Sequence, residues 1–405
     1  MKRYISAVIM GIACFALGAA VQRYYDTRLT TPVETAKLPA ENGTPSADST
    51  GVADVSTINF DREPLWAYGF DRPPLPGEKA SPQNPPSRNL RPEEDPIEQT
   101  RPRRLPGSNA TYSLVDVRDG QNVIDWFPEA HPPMPNVVAH GPTALGEKRR
   151  GCGSCHLPTG KGRPENAGIA GLPKGYFMRQ IQAFRSGRRH TADPRKPNTY
   201  TMIELAKSLT DEELNAAADY FGSMRWTPWI RVVETDLVPK TRIAGNLFLP
   251  IEHAKTEPIA GRIIEMPENE EQAETYRNPR SGFVAYVPVG SLKKGKDLVT
   301  TGGARIVGNQ FVQGKATPCI TCHGEDLMGV ADVPPIAGRS PSYMVRQMWD
   351  IQQGTRPTEP PQLMKLAVAN LTPEDMVAIA AYVSSRTPPR VTRPAQPTQP
   401  TAALR

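Results

Sequence analysis

The pentapeptide CGSCH at residues 152–156 returns as CITCH at 319–323. Two thiols three positions apart, with a histidine directly after, ask for a single tight backbone turn. Two such turns in one chain constrain its whole plan. Shifting the sequence by 167 residues superposes them, and IAGLPKGYFMRQIQAFRSGRR (169–189) then falls without a gap on IAGRSPSYMVRQMWDIQQGTR (336–356). Identities include Ile169/Ile336, Ala170/Ala337, Gly171/Gly338, Tyr176/Tyr343, Arg179/Arg346, Gln180/Gln347, Gly187/Gly354 and Arg189/Arg356. After a five-residue shortening, SLTDEELNAAADYFGSM (208–224) falls on NLTPEDMVAIAAYVSSR (370–386). Self-similarity on this scale means two copies of one domain.

The chemistry of the motif follows from which residues it uses. The five cysteines are Cys14, inside an apolar N-terminal run, and the two motif pairs. Disulfides within each pair would close tiny loops and stabilise little. A zinc site built from the four thiols leaves both histidines idle. A redox dithiol asks for a βαβ setting that the sequence does not offer. Covalent haem attachment uses every residue: Cys152 and Cys155, and Cys319 and Cys322, add to the two vinyl groups. His156 and His323 then face the iron.

Each copy reads as helical. Tyr176, Ile181 and Phe184 recur at helix-compatible spacing, with Gly187 as the stop. Thr210 and Thr372 are placed as N-caps, Glu213 completes a capping box, and Pro373 suits the first helical position. The last helices are expected to bury Leu214, Ala217, Ala218 and Phe221 in one copy, and Met376, Ile379, Ala380 and Val383 in the other. Under the repeat alignment Met202 falls on Met364, each in a stretch expected to be a loop before the last helix. A thioether there suits iron as a sixth ligand. Met178, Met224, Met328, Met344 and Met348 have no methionine counterpart and read as packing.

CGSCH, GYFMRQIQAFRSG, Met202 and LAKSLTDEELNAAADYF resemble a class I cytochrome c domain, and so does the second copy. The tandem is similar to dihaem class I cytochromes of Gram-negative periplasms over roughly 136–228 and 290–388. The resemblance implies a small helical fold around each haem, His/Met ligation and electron transfer. It also implies a carbonyl that accepts the imidazole proton, expected at Pro335 in the second copy and Gly168 in the first.

Forty-four prolines concentrate at the ends. The expected plan is mainly α. Residues 1–21 form an export signal or membrane anchor, 22–110 a Pro-rich tether, 111–230 and 290–388 the two cytochrome domains, 231–289 a short β-containing segment, and 389–405 a disordered tail. Lys2 and Arg3 before the apolar run from Ile5 to Val21 direct the chain out of the cytoplasm. Cleavage, retention as an inner-membrane anchor and lipidation at Cys14 all stay open. Trp66, Tyr68 and Phe70 in the tether either pack on the first domain or form a docking peptide. DWFPEAHPPMP (125–135) brings His131 and Met134 as alternative iron ligands or as a covering loop, and His140 and His190 read as structural. RSGRRH (185–190) is a solvated basic face or a steering patch for an acidic redox partner. TTGGARIVGNQFVQG (300–314) reads as a hairpin.

The net charge of +6 is scattered, and no phosphate loop or dinucleotide fingerprint is present, so nucleic acid is not an expected partner. The function expected is a carrier of single electrons. Its donor would be a dehydrogenase or quinol-oxidising complex, its acceptor a terminal oxidase or another cytochrome. The alternatives are a peroxidase-like dihaem enzyme with one open iron, or a dedicated subunit of a dehydrogenase.

Overall fold

The computed structural model describes residues 62–75, 78, 91–358 and 362–387. The export run, the Cys14 site, residues 22–61 of the tether and the tail from 388 lie outside the described residues. Among those described, no helix is long and apolar enough to cross a membrane. The helices in chain order are α1 (Leu65–Tyr68), α2 (Pro96–Thr100), α3 (Leu114–Arg118), α4 (Asn136–His140), α5 (Gly153–His156), α6 (Lys174–Arg185), α7 (Pro197–Ser208), α8 (Asp211–Gly222), α9 (Ser291–Thr301), α10 (Ile320–His323), α11 (Pro341–Gln353), α12 (Leu363–Val368) and α13 (Pro373–Ser384).

The repeat is visible in how the helices begin and end. Thr210 accepts from the Glu213 amide while the Glu213 carboxylate accepts from the Thr210 amide, and Thr372 and Asp375 reproduce this box at α13. Each box satisfies two amides that a helix start leaves unpaired. Gly187 and Gly354 follow α6 and α11 with φ of 70° and 82°, a conformation that favours glycine. On α8, Leu214, Ala217, Ala218 and Phe221 are buried as expected, joined by Tyr220. On α13 burial extends almost all round, because α9 packs against it. The crossing is close: a Cβ on Gly295 would stand 1.9 Å from the Ala378 carbonyl oxygen.

Between the copies the chain makes more sheet than a short connection. β1 (Ile230–Glu234), β2 (Leu237–Pro239), β3 (Thr241–Ala244), β4 (Leu247–Pro250), β5 (Thr256–Pro258), β6 (Ile264–Pro267) and β7 (Phe283–Val287) lie there. β7 is central, parallel to β1 (Ile230 beside Phe283) and antiparallel to β6 (Met266 beside Val284). The pairs β2–β5 and β3–β4 are antiparallel. Ile259, Ile264, Met266 and Val284 close a core beneath them. A final pair, β8 (Arg305–Val307) and β9 (Gln310–Val312), is the hairpin expected before the second motif.

The described part of the tether is not extended. The Asp95 side chain caps α2, and Arg118 on α3 bonds Glu94 at 2.6 Å and Gln99 at 3.2 Å. The aromatic cluster at 66–70 also differs from its expected place on the first domain. Tyr68 is fully buried and donates to Asp350 on α11 of the second copy at 2.6 Å, and Arg346 on α11 donates to the Ala67 carbonyl. From the first copy the 192–196 loop reaches it, through Lys196 Nζ to the Tyr68 carbonyl at 3.3 Å and the Arg195 guanidinium over the Phe70 ring. The segment therefore fastens the second copy to a loop of the first, a long-range arrangement that no local pattern encodes.

Candidate functional site

Each motif forms one helical turn. The His156 amide bonds the Cys152 carbonyl at 3.0 Å, and the His323 amide bonds the Cys319 carbonyl at 2.9 Å. One turn brings two thiols and the imidazole onto a single side. The chain leaves both turns with positive φ, through Gly324 in the second copy and Leu157 in the first, where φ is 61°. A non-glycine residue held there stores backbone strain, and Leu157 keeps the conformation because its side chain is buried.

The imidazoles are aimed identically. His156 Nδ1 meets the Ala167 carbonyl at 2.8 Å, and His323 Nδ1 meets the Pro334 carbonyl at 2.9 Å. A carbonyl only accepts, so Nδ1 carries the proton and Nε2 keeps its lone pair. Burial lowers both imidazole pKa values, which keeps the rings neutral. The acceptors lie one residue before the expected Gly168 and Pro335. The reason is a loop closed by a bond from Gly162 to the His156 carbonyl, repeated from Gly329 to His323, at 2.8 Å each.

The four motif thiols are free, and burial pushes Cys152 up to about 12 and Cys319 up to about 11. Among the described residues no group of three or more His, Cys, Asp and Glu side chains could hold a metal ion, so the two thiol pairs do not meet in a zinc site.

Met202 and Met364 lie on helices rather than in loops: Met202 in the middle of α7, Met364 in the first turn of α12. Both are half-buried, and each packs against the same core as the first cysteine of its own motif, Cys152 or Cys319. Among the methionines read as packing, Met224, Met344 and Met348 are buried. His131 has Asp125 Oδ1 at 3.2 Å from Nε2 and the Tyr220 hydroxyl at 2.9 Å from Nδ1, so both ring nitrogens are occupied within the covering loop.

The basic cluster at 185–190 is divided: residues 186–188, Arg188 among them, are exposed, whereas Arg189 is not on the solvated face. Arg189 is buried between the copies, donating to Gln180 at 2.7 Å in its own copy and to Gln347 at 2.9 Å in the other. Its repeat partner Arg356 answers from the other side, donating to Tyr176 at 2.5 Å. Arg185 is tied to the Ala206 and Leu209 carbonyls. Arg339 spans the boundary to the Gly168 and Ala170 carbonyls, and burial pulls it down to about 10. The identities that align the repeat therefore also form the reciprocal contact between its copies. A polar or aromatic residue kept in both copies, where core positions vary (Ile181/Met348, Phe184/Ile351), was the available signal for this interface.

Haem c fits this residue set. Each copy offers two free thiols and an imidazole with an unprotonated Nε2 on one turn. The buried Arg356 Nε finds no partner, as expected beside an anionic group such as a propionate.

The two attachment turns differ in cover. The segment 269–283 lies over the first: Arg277, at a φ of 48°, donates to the Ser154 carbonyl at 2.7 Å, and Arg163 bridges Glu165 and Glu274 alongside. Ser154 is only 8 % exposed, whereas its counterpart Thr321, and Cys322 after it, are exposed.

Comparison with known proteins points to the same cofactor. The cytochrome c family model matches residues 308–387. Cytochrome c-554(548) of Halomonas halodenitrificans is 34 % identical over 73 residues, which cover 18 % of this chain and 88 % of that protein. The thiosulfate dehydrogenase electron acceptor of Stutzerimonas stutzeri is 24 % identical over 238 residues, 58 % of this chain and 78 % of that one. A solved cytochrome c4 from Acidithiobacillus ferrooxidans aligns over 58 % of this chain and 98 % of its own, at 23 % identity and a TM-score of 0.35. The chain belongs to the cytochrome c family, as a dihaem class I cytochrome with two covalently bound haem c groups.

Proposed function

We propose that this protein carries single electrons in the periplasm, with Cys152 and Cys155 holding one haem and Cys319 and Cys322 the other. His156 with Met202, and His323 with Met364, would ligate the two irons. The domains run over 111–230 and 290–388, joined by 231–289. Haem supplies the one-electron couple when bound. The chain's residues fix its surroundings. The Ala167 and Pro334 carbonyls hold Nδ1–H and so orient each imidazole and raise its basicity. Met202 and Met364, so placed, would leave no iron position for exogenous molecules. The buried helix faces, Ala217 and Ala218 in one copy and Ala380 in the other, allow close approach and exclude water.

The observation that carries this reading is the repeat itself: both copies use the same acceptor position for the imidazole and bring a methionine to the core of their own motif. An enzyme of the peroxidase type needs one open position, and two matched methionines leave none. For the donor, the Stutzerimonas relative is named as an electron acceptor of thiosulfate dehydrogenase. We take a periplasmic dehydrogenase of that kind as donor and an oxidase or another cytochrome as acceptor, with residues 5–21 exporting the chain or anchoring it to the inner membrane. Stopped-flow mixing of the reduced protein with hydrogen peroxide tests the carrier reading. Slow, non-saturating oxidation is expected; saturable turnover with one high-spin haem would overturn it in favour of an enzyme.

A further inference from the structure

The second copy carries a ribbon that its twin lacks. After α9 the chain runs out into β8 and β9, where Ile306 stands opposite Phe311 and Val307 opposite Gln310. Ile306 is 75 % and Phe311 72 % exposed, with Val307 and Val312 exposed beside them. An isolated two-stranded ribbon is marginal in water, and clustered large apolar side chains on a surface mark a contact site. The ribbon is fixed at its base, because Lys315 after β9 and Lys294 on α9 both pair with the buried Asp375 at the start of α13. At the matching place the first copy has α4 and a short 3₁₀ stretch, Thr143–Lys148.

Charge along the ribbon is positive, the exposed Glu325 and Asp326 following only after the attachment turn. From Leu298 to Gly324 the chain contains Arg305 and Lys315 and no Asp or Glu. Lys293 and Lys296 are exposed on α9, against one acid there, Asp297. The ribbon also ends seven residues before Cys319, beside the exposed attachment turn of the pair. We propose that the β8–β9 ribbon and the adjoining basic face of α9 dock an acidic redox protein with an apolar patch, and that electrons pass to or from it at the second haem. The proposal rests on the carrier reading above. A second copy of this chain would bring like charges together, and a lipid surface would give the exposed Thr321–Cys322 turn no role. Apolar contact holds the partner, and Arg305, Lys293 and Lys296 orient it.

Plastocyanin, an acidic copper protein with an apolar patch, serves as the probe. Its oxidised form is mixed with the reduced dihaem protein at several salt concentrations. The wild-type bimolecular rate is expected to fall as salt rises. Ile306→Ser/Phe311→Ser should lower it about tenfold, with haem spectra and reduction by dithionite unchanged. Arg305→Glu should lower the rate at low salt and converge on wild type at high salt. Line broadening of ribbon amides on adding redox-inert, cadmium-loaded plastocyanin should vanish in the double variant. Rates and broadening equal to wild type in both variants would overturn the proposal. So would a variant that keeps its rates but loses sedimentation with phosphatidylglycerol–phosphatidylcholine vesicles (a lipid surface), or loses dimerisation (a second copy). If the wild type itself passes no electrons yet turns over peroxide, the carrier reading has failed, and the docking proposal with it.

Discussion

Ser154 lies under the Arg277 guanidinium, whereas Thr321, its counterpart 167 residues on, faces solvent. The backbone around the two is otherwise the same turn with the same histidine bond. What differs is what each copy has acquired. The first is roofed by the segment 269–283 and flanked by the loop that carries His131. The second has α9 crossing α13, the α1 clamp on α11 and the open ribbon. Duplication supplies two equal redox units, and inserted segments make them unequal. A covered attachment turn and an exposed one thus stand at the same motif in the two copies.

The sharpest break in this comparison is Gly295→Val. It strikes only the second copy, where a Cβ would meet the Ala378 carbonyl at 1.9 Å, and residue 128 at the matching place in the first copy is a proline outside any such crossing. Forcing α9 off α13 should cost about 3 kcal/mol or more. Thermal unfolding should show the second domain melting early while the first keeps its haem spectrum.

The clamp gives the next largest effect. Glu63 is 8 % exposed with both carboxylate oxygens unpartnered, and burial, then Asp193 and Asp350, push it up to about 8. The folded state thus holds a proton that the unfolded chain releases above about 4.5. Stability from this group is full below that pH, declines as pH rises, and is lost once pH passes about 8. Glu63→Gln should raise stability at pH 8.5 by on the order of 2 kcal/mol, leave it nearly unchanged at pH 4.5, and flatten the profile between. Denaturant melts across that range check it.

Arg277→Met probes the roof directly. Removing a positive charge beside the first attachment turn favours oxidised iron there. The first haem's potential should drop by roughly 30 to 70 mV and the second's stay fixed. Equal shifts in both, read by potentiometric titration, would mean that the roof does not distinguish the copies.

The repeat made much of this readable from sequence. Motif, helix caps and the apolar faces of α8 and α13 are short-range patterns, and Thr210, Thr372 and the buried Leu214–Phe221 stripe stand where those patterns put them. The acceptor carbonyls were missed by one residue, because loop closure by Gly162 and Gly329 sets the register. Met202 and Met364 were given to loops because the polar and proline-rich residues before them hid the short helices that carry them. The burial of Arg189 and the docking of Tyr68 on Asp350 depend on contacts between residues more than 150 apart, and no window of sequence contains them.

The most direct test of the shared core beneath these differences is the weak long-wavelength absorption that a thioether bound to oxidised haem iron gives. It should fall by about half in Met202→Ala, by about half in Met364→Ala, and vanish in the double variant, with carbon monoxide binding readily at each altered haem. A single variant that keeps the full band would contradict the account, since the iron of that copy would then have a sixth ligand other than the methionine its repeat supplies.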